Sequence, residues 1–151
     1  MDNIEYRLTK PPFLESQIQE FLDLAEKVFG STDRADGSWR LQKMPDVTFF
    51  AARRDGELVG FKIGYAITSF RYYSWLGGVD PAYRRLGIAQ ELMNRQHAWI
   101  SQNGFASVET GAQQDNLAMT RLNLMSGFQV VGIRFKDLGP EVTYEKRLPS
   151  S

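Results

Sequence analysis

The chain has 151 residues, 42% of them hydrophobic and 24% charged, with acidic and basic side chains in equal number and a formal net charge of zero. This is the make-up of one globular domain over 1–151 with a real core, and it excludes a general electrostatic grip on nucleic acid or an acidic membrane. With no cysteine and a single histidine, His97, there is no disulfide and no thiol nucleophile, and no zinc site of the usual nitrogen and sulfur type is expected.

"IEYRL" (4–8) alternates and predicts a first strand. Leu14, Ile18, Phe21, Leu22, Ala25, Val28 and Phe29 recur at three and four and predict an amphipathic helix, ended by Gly30. The polar stretch 31–45 predicts a loop and a short helix stopped by Pro45. Residues 47–68 predict two strands around an Asp55-Gly56 turn, and 70–79 a third, rich in aromatics. A long helix follows, with Ile88, Leu92 and Trp99, and Ala89, Met93 and Ile100 beside them, on its apolar face; Asn103-Gly104 closes it. His97 falls off that face and reads as exposed and non-catalytic. Residues 105–111 predict a strand, Asp115 or Asn116 caps a helix running to Met125, and 127–135 and 141–148 predict the last two strands. The order is β-α-α-β-β-β-α-β-α-β-β, a mixed α/β sandwich. No apolar run approaches the roughly 18 residues that span a bilayer. The acidic, alternating N-terminus does not resemble a signal peptide. A cytoplasmic location is the expectation, with no nucleic-acid or membrane partner.

Two cations and a glycine stand where the long helix begins, in "VDPAYRRLGIAQEL" (79–92). A helix N-terminus carries unpaired N–H groups and a positive dipole end. Arg84 and Arg85 sharpen this into an anion site. Gly87 has no side chain, so the N–H groups of about Arg85 to Ala89, including those of Leu86 and Ile88, can approach an oxyanion closely. Sequences for other phosphate sites are missing: there is no Gly-Lys of a Walker loop and no Gly-x-Gly-x-x-Gly, and no Gly-x-Ser-x-Gly of a hydrolase elbow.

On these residues the chain resembles the GNAT superfamily of acyl-CoA-dependent N-acyltransferases along essentially its whole length. That family carries Arg/Gln-x-x-Gly-x-Gly/Ala after its fourth strand, read here as Arg84-Arg85-Leu86-Gly87-Ile88-Ala89, and Val-x-Pro-x-Tyr-Arg before it, read here as "VDPAYR". Its second signature, an asparagine, a short helix and Gly-Phe, is Asn116 followed by Gly127-Phe128. The resemblance implies the GNAT fold, a mixed, mostly antiparallel sheet flanked by helices. It implies acetyl-CoA as co-substrate, with its pyrophosphate on the loop and its pantetheine arm on free backbone groups near Gly78 and Val79. The function it implies is transfer of an acetyl group to a primary amine, on a small molecule or a peptide, by direct attack. Homodimerisation is a further expectation it carries. The alternatives are a non-catalytic acyl-CoA sensor with the same fold and an interaction protein that has lost the ligand.

The family often places a tyrosine general acid seven residues after the motif asparagine; here that residue is Asn123. Asn116, Thr120 and Asn123 share one helix face, opposite Leu117, Leu122 and Met125. An amide N–H can hydrogen-bond a sulfur, and a thiol with a pKa near 8.5 can leave as the thiolate. The other reading of Asn123 is a solvated helix residue. Glu109 is the first candidate base, two residues too early for the glutamate of some N-terminal-amine acetyltransferases of the family, and Glu26 the second. Trp39, Arg40, Phe61, Tyr65, Tyr72, Tyr73 and Trp75 are candidates for an acceptor lining, half of which must turn into the core because strands alternate.

Overall fold

In the computed structural model, which describes residues 3–136 and 139–149, alternation along β2 (Thr48–Arg54) sends Phe49 and Ala51 to one side of a sheet and Phe50 and Ala52 to the other, and all four are buried. A strand buried on both sides needs a layer on each face. Helices α1 (Glu15–Phe29) and α2 (Arg34–Lys43) cover one face, where Phe21, Leu22 and Leu41 meet Phe49 and Phe61. Helices α3 (Ile88–Gln102) and α4 (Leu117–Met125) cover the other, where Met93 and Ile100 meet Tyr72, Val108 and Tyr144, with Met119 and Leu122 packed alongside. Among the described residues no helix is long and apolar enough to cross a membrane.

The remaining strands are β1 (Glu5–Thr9), β3 (Glu57–Ala66), β4 (Arg71–Val79), β5 (Ser107–Gln113), β6 (Gln129–Lys136) and β7 (Gly139–Arg147), and the sheet order is β1-β2-β3-β4-β5-β7-β6. Local signals set most boundaries. Asp55 (φ 50°) and Gly56 (φ 82°) both take left-handed backbone and turn β2 into β3. Gly30 ends α1, its N–H donating to the Glu26 carbonyl at 2.8 Å. Asp33 caps α2 by accepting from the Asp36 N–H, and Asn116 caps α4 by accepting from Met119 N–H at 3.2 Å.

One pairing differs from the rest. β4 and β5 are the parallel neighbours, in register only from Arg71↔Ser107 to Ser74↔Thr110. The register of β3 against β4 slips at the same level, where Ile63 faces Leu76 but Gly64 faces Ser74, leaving Trp75 as the extra residue. A bulge bends its strand. Beyond it β4 stays with β3 and parts from β5, so the sheet opens in its middle. Gly64 is needed at the bulge, because a Cβ there would sit 2.5 Å from the Tyr72 ring and 2.6 Å from the Tyr73 carbonyl oxygen.

Candidate active site

The parted strands open into a groove of about 540 Å3, walled by β4 at Gly77, Gly78 and Val79, by the turn into α3, and by α4 at Asn116, Ala118, Met119 and Leu122. Its entrance is built by the β4–α3 connection. Asp80 accepts from the Ala82 N–H at 2.9 Å and pins the single turn Pro81–Tyr83, while Lys27 of α1 donates to its other oxygen at 2.8 Å. The lysine's hydrogen bond, opposed by burial, holds the Asp80 carboxyl below its ordinary value. Arg85 then takes φ 64° and Gly87 φ 79°, two left-handed residues within three. For arginine that conformation is strained. The Gly87 carbonyl accepts from the Glu91 N–H, but no side chain caps α3, and the N–H groups of Ile88, Ala89 and Gln90 belong to its unpaired first turn. Arg84 and Arg85 are exposed at the same place.

The groove therefore has a cationic, donor-rich mouth and a bare strand along its length. A Cβ at Gly78 would fall 3.0 Å from Val28 of α1, so α1 closes on the strand and the wall is plain backbone. This fits a ligand with anionic groups at one end and amide groups along a thin arm.

The structure brings Gly78, Val79, Arg84, Arg85, Gly87, Ile88, Ala89 and Asn116 to the groove. Leu86 is turned outward, 55% exposed. Asn123 is not solvated: it is 1% exposed, while Leu117 and Met125 are each 74% exposed. Helix α4 thus turns Asn123 inward along with Met119 and Leu122, and Asn123 is not among the residues that line the groove. Thr120 accepts from the Tyr144 hydroxyl at 3.3 Å, and both amide atoms of Asn123 lack a hydrogen-bond partner among the described residues. His97 also departs from expectation. It is buried, 7% exposed, because it lies four residues after Met93 and three before Ile100, both in the core. Its Nδ1 is 3.3 Å from Lys146 Nζ, and burial above all, helped by Lys146 and Lys62, pushes its pKa down to about 3.

Glu109 is buried and paired with Arg71. Glu26 pairs with Arg34 at 2.9 Å. The residue five before Asn116, where the resemblance would place a glutamate, is Gly111; a Cβ on it would meet the carboxylate of Glu141 from β7. Glu141 thus occupies from a neighbouring strand the space that Gly111 leaves. It pairs with Lys136 at 3.0 Å and raises the pKa of Tyr73, to which burial contributes more, to about 12. No sequence signal marks Glu141, because its approach depends on the β5–β7 register. Of the aromatic candidates, Phe61 and Tyr72 go into the core, Tyr72 bonded to Thr48 and to the Asp46 carbonyl. Tyr65, Tyr73 and Trp75 cluster on the α2 side, where Arg40 donates to the Tyr65 hydroxyl at 2.6 Å and lies 5.1 Å over the Trp75 ring. Trp39 is 54% exposed.

Comparison with known proteins converges on one family. A model described as the acetyltransferase (GNAT) family matches residues 18–128. No curated protein matches the chain. Among solved structures, the ribosomal-protein-S18-alanine N-acetyltransferase of Escherichia coli superposes with a TM-score of 0.82 at 14% identity, over 97% of this chain and 96% of that one. A GNAT acetyltransferase of Elizabethkingia anophelis with acetyl-CoA bound gives 0.77 at 13% identity, over 98% and 100%. The PaiA N-acetyltransferase of Thermoplasma acidophilum in complex with coenzyme A gives 0.73 at 17%, over 96% and 99%.

Proposed function

Because the chain belongs to the acetyltransferase (GNAT) family, with acetyl-CoA as its acetyl donor, we propose that it transfers an acetyl group to a primary amine, on a small molecule or a peptide, by direct attack. The observation that carries this reading is the groove itself, running from the left-handed Arg85–Gly87 turn to the bare backbone of Gly77, Gly78 and Val79. The coenzyme supplies an acetyl thioester. Arg84, Arg85 and the first N–H groups of α3 hold its pyrophosphate. Free N–H and carbonyl groups of β4 pair with its arm, and a β4 N–H turned to the thioester oxygen stabilises the charge that develops there. Calorimetry with coenzyme A tests binding, and thiol release across a panel of amines tests turnover. Absence of heat at millimolar coenzyme would sink the reading. Binding without turnover on any amine would select the sensor alternative instead.

An attacking amine must be neutral, and a lysine side chain at pH 7 is neutral only to a few parts in ten thousand. Glu109 and Glu141 are the carboxylates proposed to help. Both belong to the side of the sheet that carries Tyr73, and Glu141 reaches into the space beside Gly111. Glu141→Gln is expected to lower kcat about a hundredfold or more, with coenzyme affinity unchanged. If Glu109→Gln does this and Glu141→Gln does not, the roles are reversed.

Asn123 is proposed to donate from its amide to the coenzyme sulfur. A buried amide without partners costs about 1–3 kcal/mol. Asn123→Leu should therefore raise the unfolding free energy of the free protein by about 1–2 kcal/mol while lowering turnover. Thermal melts and steady-state rates on one preparation check both, and a variant less stable than the parent would refute the unpaired amide.

A homodimer remains part of this reading. Val131, Ile133 and Phe135 lie exposed on the edge strand β6, Phe135 at 87%, and sedimentation velocity reads the assembly directly.

A further inference from the structure

Lysine is among the residues least often buried, yet Lys62 is 7% exposed. It lies on β3 opposite Gly77, and alternation puts it on the α3 face of the sheet, along with Gly60 and Gly64. Its stem runs along β4, with Cδ 3.0 Å and Nζ 3.4 Å from the position a Cβ of Gly77 would take. It lines the groove. Among the described residues it has no hydrogen bond and no ion pair. Its charge acts on His97, itself held neutral, which also feels Lys146, another cation. A carboxylate partner, the usual reason to bury a lysine, is missing among the described residues.

We propose that Lys62 is a site of self-acetylation, its amine taking the acetyl group of the acetyl-CoA held in the groove. This rests on the reading of the groove as the acetyl-CoA site. The neutral Nζ attacks the thioester carbonyl carbon. A C–N bond forms, the C–S bond breaks with its electron pair going to sulfur, and the proton shed by nitrogen leaves to solvent or to the thiolate. The products are an Nε-acetyl amide and coenzyme A, and no further reactant is needed. Burial supplies the free amine: it lowers the Lys62 pKa to about 8, so about half of the chains carry it neutral at pH 8, against well under one in a hundred for an ordinary lysine.

The product also removes the uncompensated charge. An amide is a far poorer acyl donor than a thioester, so acetyl-Lys62 is an end state and not a carrier on the way to the acceptor. It places a neutral, larger group in the groove wall where a cation stood. Self-acetylation is then a brake that operates when acetyl-CoA is plentiful and acceptor is scarce.

The full chain is incubated with acetyl-CoA without acceptor and followed by intact mass and by peptide mapping. The expected result is a gain of one acetyl group per chain, located at Lys62, with release of one equivalent of thiol. Its rate saturates with acetyl-CoA and rises with pH up to about 8. The acetylated protein binds coenzyme A at least about tenfold more weakly by calorimetry, because the larger acetylated side chain takes up room in the groove wall. Lys62→Arg, checked for folding by circular dichroism, loses the modification at this position only. Coenzyme A that binds in calorimetry while Lys62 stays unmodified overturns the inference and leaves the groove reading standing. So does acetylation spread over surface lysines at a rate linear in acetyl-CoA. Absence of coenzyme binding overturns both.

Discussion

Gly87→Val is expected to lower affinity for coenzyme A at least about a hundredfold while the protein keeps its fold. Gly87 sits at φ 79° and ψ 9°, at the N-cap of α3. A β-branched side chain in left-handed backbone costs about 1–2 kcal/mol, and the turn would relax away from that conformation. Among the described residues, chain neighbours aside, no atom lies within 4 Å of the position a Cβ would take, so the damage is to the loop and to the space it encloses, not to the core. Arg84→Ala should remove a charge-assisted contact worth about 1.5–3 kcal/mol, or ten- to a hundredfold in affinity. Both variants should bind a pantetheine fragment without the pyrophosphate nearly as well as the parent does. Calorimetry with the whole coenzyme and with the fragment makes the comparison, and equal losses for the two ligands would remove the loop from the phosphate site.

Acid should unfold this protein through His97. Its folded pKa of about 3 lies well below the ordinary value of 6.5, so the unfolded chain binds a proton across that window and the folded chain does not. The unfolded state gains on protonation, and stability is lost as pH falls from 6.5 toward 3. At pH 4.5 the loss from this group alone is on the order of 2–3 kcal/mol, at ~1.4 kcal/mol per pH unit. His97→Gln cannot titrate, and its unfolding free energy should fall less over the same range. Denaturant melts at pH 7 and pH 4.5 on the two proteins give the difference. Parallel pH dependence would mean that the imidazole reaches water or an acceptor before the fold opens.

Features with local causes were legible in the sequence. Gly30, Asp55-Gly56 and Asn116 mark boundaries because a turn or cap is decided by a few adjacent residues, and the element order follows from them. Two kinds of residue were not. Lys62 and His97 are polar side chains in the interior, and pattern reading sends polar residues to solvent. His97 has the spacing of a core residue, and only its chemistry argued against it. Glu141 enters the space beside Gly111 through the register of β5 on β7, which no stretch of either strand specifies. Helix α4 misled for the opposite reason. Its leucines suggested one inward face, but Asn123 is buried along with Leu122, and Leu117 and Met125 are left outside.

The place where β4 and β5 part has a meaning for the life of the chain in a cell. Leu76 to Val79 pair with β3 on one side, and on the other the ladder with β5 has already ended at Ser74. Under the proposed reading the coenzyme's arm takes up those hydrogen-bonding groups and acts as a short surrogate strand. Ligand and fold are then linked by mass action, and coenzyme at a hundred times its Kd would add about 2.7 kcal/mol to the unfolding free energy. That is a large fraction of what a domain of this size has to spare. The steady-state amount of the protein would follow the supply of coenzyme, with quality control removing copies when the pool runs low.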